Sequence, residues 1–94
     1  MTKDERLVVL KADLELLTNA KDSYLHHLMQ VAEVRIQAEG IKLTDSVGDD
    51  DLRIMYAAYL YRKRAAEVNA MPRMLRYALN NRLMQQKGGT ESVT

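Results

Sequence analysis

Ninety-four residues, 47% of them hydrophobic and 29% charged, specify one small domain with room for a single core. The chain has no cysteine, which excludes a disulfide framework, a thiolate metal site and a thiol nucleophile. A formal charge of +1 hides a division: residues 1–51 hold six cations against eleven acids, and residues 52–87 hold eight cations against one acid, Glu67.

No apolar run approaches the ~18 residues of a membrane span, and the charged opening "MTKDERL" is unlike a signal peptide. The expectation is a soluble intracellular product with no membrane partner. The acidic front and basic back suit either attraction to nucleic acid or the back of one copy meeting the front of another.

Thr2 with Glu5 three places on forms a capping box that satisfies two orphan amides and starts the first helix. Leu7, Leu10, Leu14 and Leu17 then fall on one stripe. "TNAKD" breaks the pattern, and either Asn19 or Asp22 caps a second helix. On that helix Leu25, Leu28, Met29, Ala32 and Ile36 share a face, and Gly40 is placed as its C′ residue. "IKLTDSVG" is the one substantial loop. The acids Asp49, Asp50 and Asp51 open a third helix, where carboxylates favour the positive end of the macrodipole. Pro72 suits the first turn of a fourth helix, which the Gly88-Gly89 pair ends near Lys87. The fold class is therefore all-α: a small bundle of four helices over residues 1–87, with a short flexible C-terminal tail over 88–94.

The third helix is apolar on two sides. At about 100° per residue, Ile54, Ala57, Ala58, Tyr61 and Ala65 gather on one side, Leu52, Tyr56 and Tyr59 on nearly the opposite one, with Leu60 between. Val9 and Leu16 lie opposite the leucine stripe of the first helix, and Val31 and Val34, with His27 beside them, opposite the main stripe of the second. A central rod buried by three partners accounts for the third helix alone. A subunit meeting neighbours on more than one side accounts for all of these residues, and tyrosine suits an interface because its hydroxyl tolerates water. Tyr56, Tyr59, Leu60, Val9, Leu16, Val31 and Val34 are accordingly the candidate subunit interface.

Catalytic machinery is not visible. His26 and His27 are adjacent, so on a helix they diverge by about 100° and cannot share one metal. The Asp45, Asp49, Asp50, Asp51 cluster lacks the alternating ligands and closing glutamate of an EF-hand loop. No nucleophile elbow, phosphate loop or H-E-x-x-H occurs. No catalytic, metal or cofactor-binding residue is assigned, and no cofactor is expected. The basic residues Arg62, Lys63, Arg64, Arg73 and Arg76, with Tyr77 and Asn80 beside the last two, support an alternative: a small helical nucleic-acid-binding protein. Cations closing a helix also complement its dipole. The connection "AAEVNAMP" has no glycine and is longer than a tight helix-turn-helix turn.

The segments "MTKDERLVVLKADLELLTNAKDSYLHHLMQVAEVRIQAEGI", "DLRIMYAAYLYRKRA" and "MPRMLRYALNNRLMQQK" stand in this order along the chain. Together they resemble the head–tail connector proteins, also called adaptors or head-completion proteins, of long-tailed bacteriophages and prophages. Their order and spacing over residues 2–87 carry the likeness, since no single element is diagnostic. The resemblance implies a structural subunit, not an enzyme, assembled in the host cytoplasm and located in the virion at the head–tail interface. It further implies a homo-oligomeric ring beneath the portal after DNA packaging, dodecameric in the virion; the small size and 29% charged residues leave the isolated chain free to stay monomeric. The implied partners are the portal protein, a tail-side stopper or tail-completion protein, and DNA that passes through the channel without sequence-specific binding. By the same analogy Arg73, Arg76, Arg82 and Lys87 are the candidate portal-docking residues.

Overall fold

The structure is a computed structural model that describes the backbone of residues 1–66 and 69–92, and the side chains of these as far as residue 88. Four helices occur in order, α1 (Lys3–Asp13), α2 (Asp22–Ala38), α3 (Val47–Arg64) and α4 (Arg73–Ser92), with no strand among the described residues. The protein is a small all-α four-helix bundle. Its α3 packs against each of the other three helices, and α1 also packs on α2.

Local chemistry sets most of the helix ends. Thr2 Oγ1 accepts the Glu5 amide at 3.2 Å while Glu5 Oε1 accepts the Thr2 amide at 2.8 Å, the capping box expected at α1. Ser46 Oγ accepts the Asp49 amide at 3.1 Å and caps α3. At α2 the expectation fails. Lys21 occupies the cap position with no side-chain bond, Asp22 is the first helical residue, and the Asn19 side chain accepts from Lys11 Nζ at 2.7 Å.

Three helices stop in the same way, with a left-handed residue just past the last turn. Gly40 does so after α2 at φ 98°, as its sequence position suggests. Glu15 (φ 57°) and Ala66 (φ 64°) do so after α1 and α3, although a Cβ disfavours that conformation. At α1 the Leu16 and Glu15 amides bond back to the carbonyls of Lys11 and Ala12, at 2.9 and 3.2 Å, a Schellman closure. The helix thus ends before Leu17, which leaves the leucine stripe and stands 97% exposed. Leu16 likewise sits in the turn, half-buried against the core, and belongs to no second helical stripe.

Helix α4 runs on to Ser92, so helical backbone crosses Gly88 where a stop is expected. Glycine costs about 1 kcal/mol in a helix interior and does not forbid one. Among the described residues of α4, Leu75 and Leu79 are buried, Leu83 is half-buried, and Gln86 anchors the helix to the loop after α2. Its side-chain amide donates to the Gly40 carbonyl and accepts from the Lys42 amide, both at 2.9 Å. Of the tail assigned to 88–94, residues 93 and 94 lie outside the described residues, as do the side chains from 89 onward.

The core is continuous from Leu7 and Leu10 of α1, through Leu25, Leu28, Ala32 and Ile36 of α2, to Leu75 and Leu79 of α4, wrapped around α3. Tyr56, Tyr59 and Leu60 belong to it, at 5%, 7% and 2% exposure. They were the leading candidates for a subunit interface, and their burial within one chain removes them from that role. The reason is positional: with helices against several sides of α3, both of its apolar faces are covered from within. Fully burying each such side chain is worth about 1.5–3 kcal/mol.

Candidate functional site

Asp49 and Asp50, one turn into α3, are almost fully buried, and each is held by cations from other elements. Asp49 accepts from Arg82 Nε of α4 at 2.7 Å and from the amide and hydroxyl of Thr44, both at 2.8 Å. Burial alone would push its carboxyl up, but these donors outweigh it and hold the pKa at about 2. Asp50 accepts from Arg6 of α1 at 2.9 Å, from Arg53 at 3.0 Å and from the Met1 amino group at 3.0 Å. Burial opposes its charge too, yet the amino group and Arg6 bring its pKa below the usual carboxylate value. Arg53, itself buried, also donates to the Thr44 carbonyl at 2.8 Å and faces Glu33 of α2 at 3.6 Å.

These carboxylates therefore tie α1 and α4 to the first turn of α3, where its dipole also favours negative charge, while Arg53 faces α2 beside them. Their oxygens are occupied by guanidinium, amino, amide and hydroxyl donors, which is the arrangement of a structural charge cluster. Among the described residues no group of three or more potential metal-ligating side chains comes together. His26 is half-buried at a cleft with Lys3, Asp4, Arg6 and Glu33, its Nε2 3.9 Å from Asp4, and His27 is exposed.

The basic residues are also less free than the sequence suggests. Arg76 forms a two-pronged pair with Glu39, at 2.8 and 2.9 Å, and Arg82 is committed to Asp49. Arg62 donates to the Asp13 carbonyl at 3.3 Å, and Lys63 lies 5.8 Å from the Tyr59 ring centroid. Arg73, Arg64 and Lys87 are exposed and, among the described residues, make no ion pair. Two of the four residues assigned to portal docking, Arg76 and Arg82, thus have intramolecular duties. For Arg82 this is a correction: its side chain is 19% exposed and turned toward α3, which leaves little of it to meet a partner.

The exposed apolar surface lies elsewhere. Val9 and Val34 are exposed as expected, while Val31 is half-buried against the core. The larger patch is on α4, where Met74, Tyr77 and Met84 are 76%, 58% and 69% exposed, with Asn81 exposed between the last two. Val8 joins Val9 on the outer side of α1. Met74 and Met84 lie outside the interface residues expected from the sequence. The signal was present as a 3-4-3 spacing from Met74 through Tyr77 and Asn81 to Met84, opposite the buried Leu75 and Leu79 and the half-buried Leu83.

Comparison with known proteins returned no matching family model, no matching curated protein and no matching solved structure. Among the described residues no helix is long and apolar enough to cross a membrane.

Proposed function

We propose that this chain is a structural head–tail connector subunit of a long-tailed bacteriophage or prophage, working by assembly and not by catalysis. One observation carries the reading. A bundle whose core is already complete, with both faces of α3 covered, still presents apolar side chains to water on α1, α2 and α4. Surface of that kind marks interaction sites. The likeness of residues 2–87 to such connectors supplies the kind of assembly: a ring beneath the portal that extends the DNA channel and receives a tail-side protein. Arg73 and Lys87, exposed near the ends of the packed part of α4, stay available to a partner molecule.

Mixing the purified chain with the portal protein of the same phage and imaging the product tests the reading. A ring of added density on the portal is expected; a bare portal at saturating chain concentration contradicts it. The nucleic-acid alternative is separable by titrating duplex DNA across salt. A phosphate binder loses affinity steeply as salt rises, whereas a connector binds weakly throughout. Engagement of Arg76 by Glu39 and of Arg82 by Asp49 already lowers the charge available for phosphates.

A further inference from the structure

We infer that the exposed stripe of α4 is the docking strip for the outer face of α1 on a second copy of this chain, so that copies associate head to tail. The inference rests on the reading of the chain as an assembling subunit and goes beyond it by naming the two unlike faces that meet.

The two faces match in length, polarity and charge. On α4, Met74, Tyr77, Asn81 and Met84 repeat at the spacing of a coiled-coil seam, with a polar residue set among apolar ones. Methionine adapts to a partner's shape and tyrosine adds area at low entropic cost. The seam spans about 15 Å at 1.5 Å per residue. From Arg73 to Gly88 the helix contains no acid, and the exposed Arg73 and Lys87 bracket the seam.

On α1, the exposed Val8 and Val9 lie between two exposed acidic ends, Asp4 with Glu5 and Asp13 with Glu15. The cations of that segment do not cancel them. Arg6 turns inward to Asp50 and Lys11 to Asp22. Lys3 alone is exposed. The eleven residues of α1 span about 16 Å, enough to cover the α4 seam and bring its acidic ends within reach of Arg73 and Lys87.

Within one chain the two faces do not cover each other: Asp13 and Met74 line one cleft, but Val8, Val9, Tyr77 and Met84 all stay exposed. Asp50 reaches α1 through Arg6, and Asp49, its neighbour on α3, reaches α4 through Arg82. Adjacent helical residues diverge by about 100°, so α1 and α4 flank α3 on different sides. A contact between unlike faces repeats from copy to copy and produces a ring when the rotation closes.

The absence of native cysteine makes the test clean. Val8→Cys and Met84→Cys variants, both at exposed positions, are mixed and treated with a short bismaleimide, at high concentration and again on portal rings. The mixed V8C–M84C product is expected to exceed each like-with-like product several-fold, and the double variant to form a ladder of products. Asp13→Lys should abolish the mixed product, and Arg73→Glu in the partner should restore it. Like-with-like products alone, no product under either condition, or a double variant that stops at dimers would overturn the inference. A ladder without portal binding would retain this contact and remove the connector reading. A portal-bound ring whose cysteines do not join would do the reverse.

Discussion

Arg82 Nε lies 2.7 Å from Asp49 Oδ1 and Arg82 Nη2 3.2 Å from Asp49 Oδ2, a pair that fastens α4 to the buried first turn of α3. Removing one partner of such a pair strands the other charge. Asp49→Ala and Arg82→Ala should each cost about 3 kcal/mol in urea unfolding. The double variant should cost clearly less than their sum, because the two share one interaction. Additive losses would mean that the pair is not coupled.

The same carboxylate makes stability depend on acid. Asp49 is held at about 2 when folded, against 3.8 for an ordinary aspartate, so the unfolded chain takes up its proton first as pH falls. Its contribution, about 2 kcal/mol, is fully present above about pH 5. It is lost progressively as pH falls from about 5 through 2. Asp50, also lowered, acts in the same direction. Stability measured by denaturant titration should be flat from pH 7 to 5 as far as these groups are concerned, then fall. In Asp49→Asn the fall should be shallower.

Two strained helix stops offer gains. Glu15 and Ala66 hold left-handed φ values of 57° and 64°, which glycine adopts without a steric cost. Glu15→Gly and Ala66→Gly should each raise stability by about 0.5–1 kcal/mol. A lower melting temperature for either would contradict the stop geometry.

Capping residues should show ordinary losses. Thr2→Ala removes the hydroxyl that accepts the Glu5 amide, and Ser46→Ala the one that accepts the Asp49 amide. Each should cost about 1 kcal/mol, with Ser46→Ala the larger because its turn also carries the buried Asp49.

Much of this architecture was legible in the residues. The core face of α2, the Thr2–Glu5 box and the Gly40 stop each depend on a few neighbouring side chains, and each is where the spacing placed it. The ends of α1 and α3 were not legible, because Glu15 and Ala66 fill a glycine-like conformation without being glycine. The two apolar sides of α3 were visible, but not what covers them. Periodicity reports that a face is apolar, whereas only tertiary packing decides whether a sister element or another molecule hides it. Tyr56 and Tyr59 therefore read as interface and are core, while Tyr77, noted beside basic residues, belongs to an exposed apolar seam. The pairing of Asp49 with Arg82 joins residues 33 apart in sequence, beyond the reach of any local pattern.

The contrast between Tyr56 and Tyr77 tests the account most directly. Tyr56→Glu and Tyr77→Glu are compared for melting temperature and for assembly on portal rings. Tyr56→Glu should fail to fold, since it puts a charge into a closed core. Tyr77→Glu should melt like the parent chain and fail to assemble. A Tyr77→Glu chain that folds and joins the ring as the parent does would contradict the claim that the exposed seam of α4 is the surface on which this subunit works.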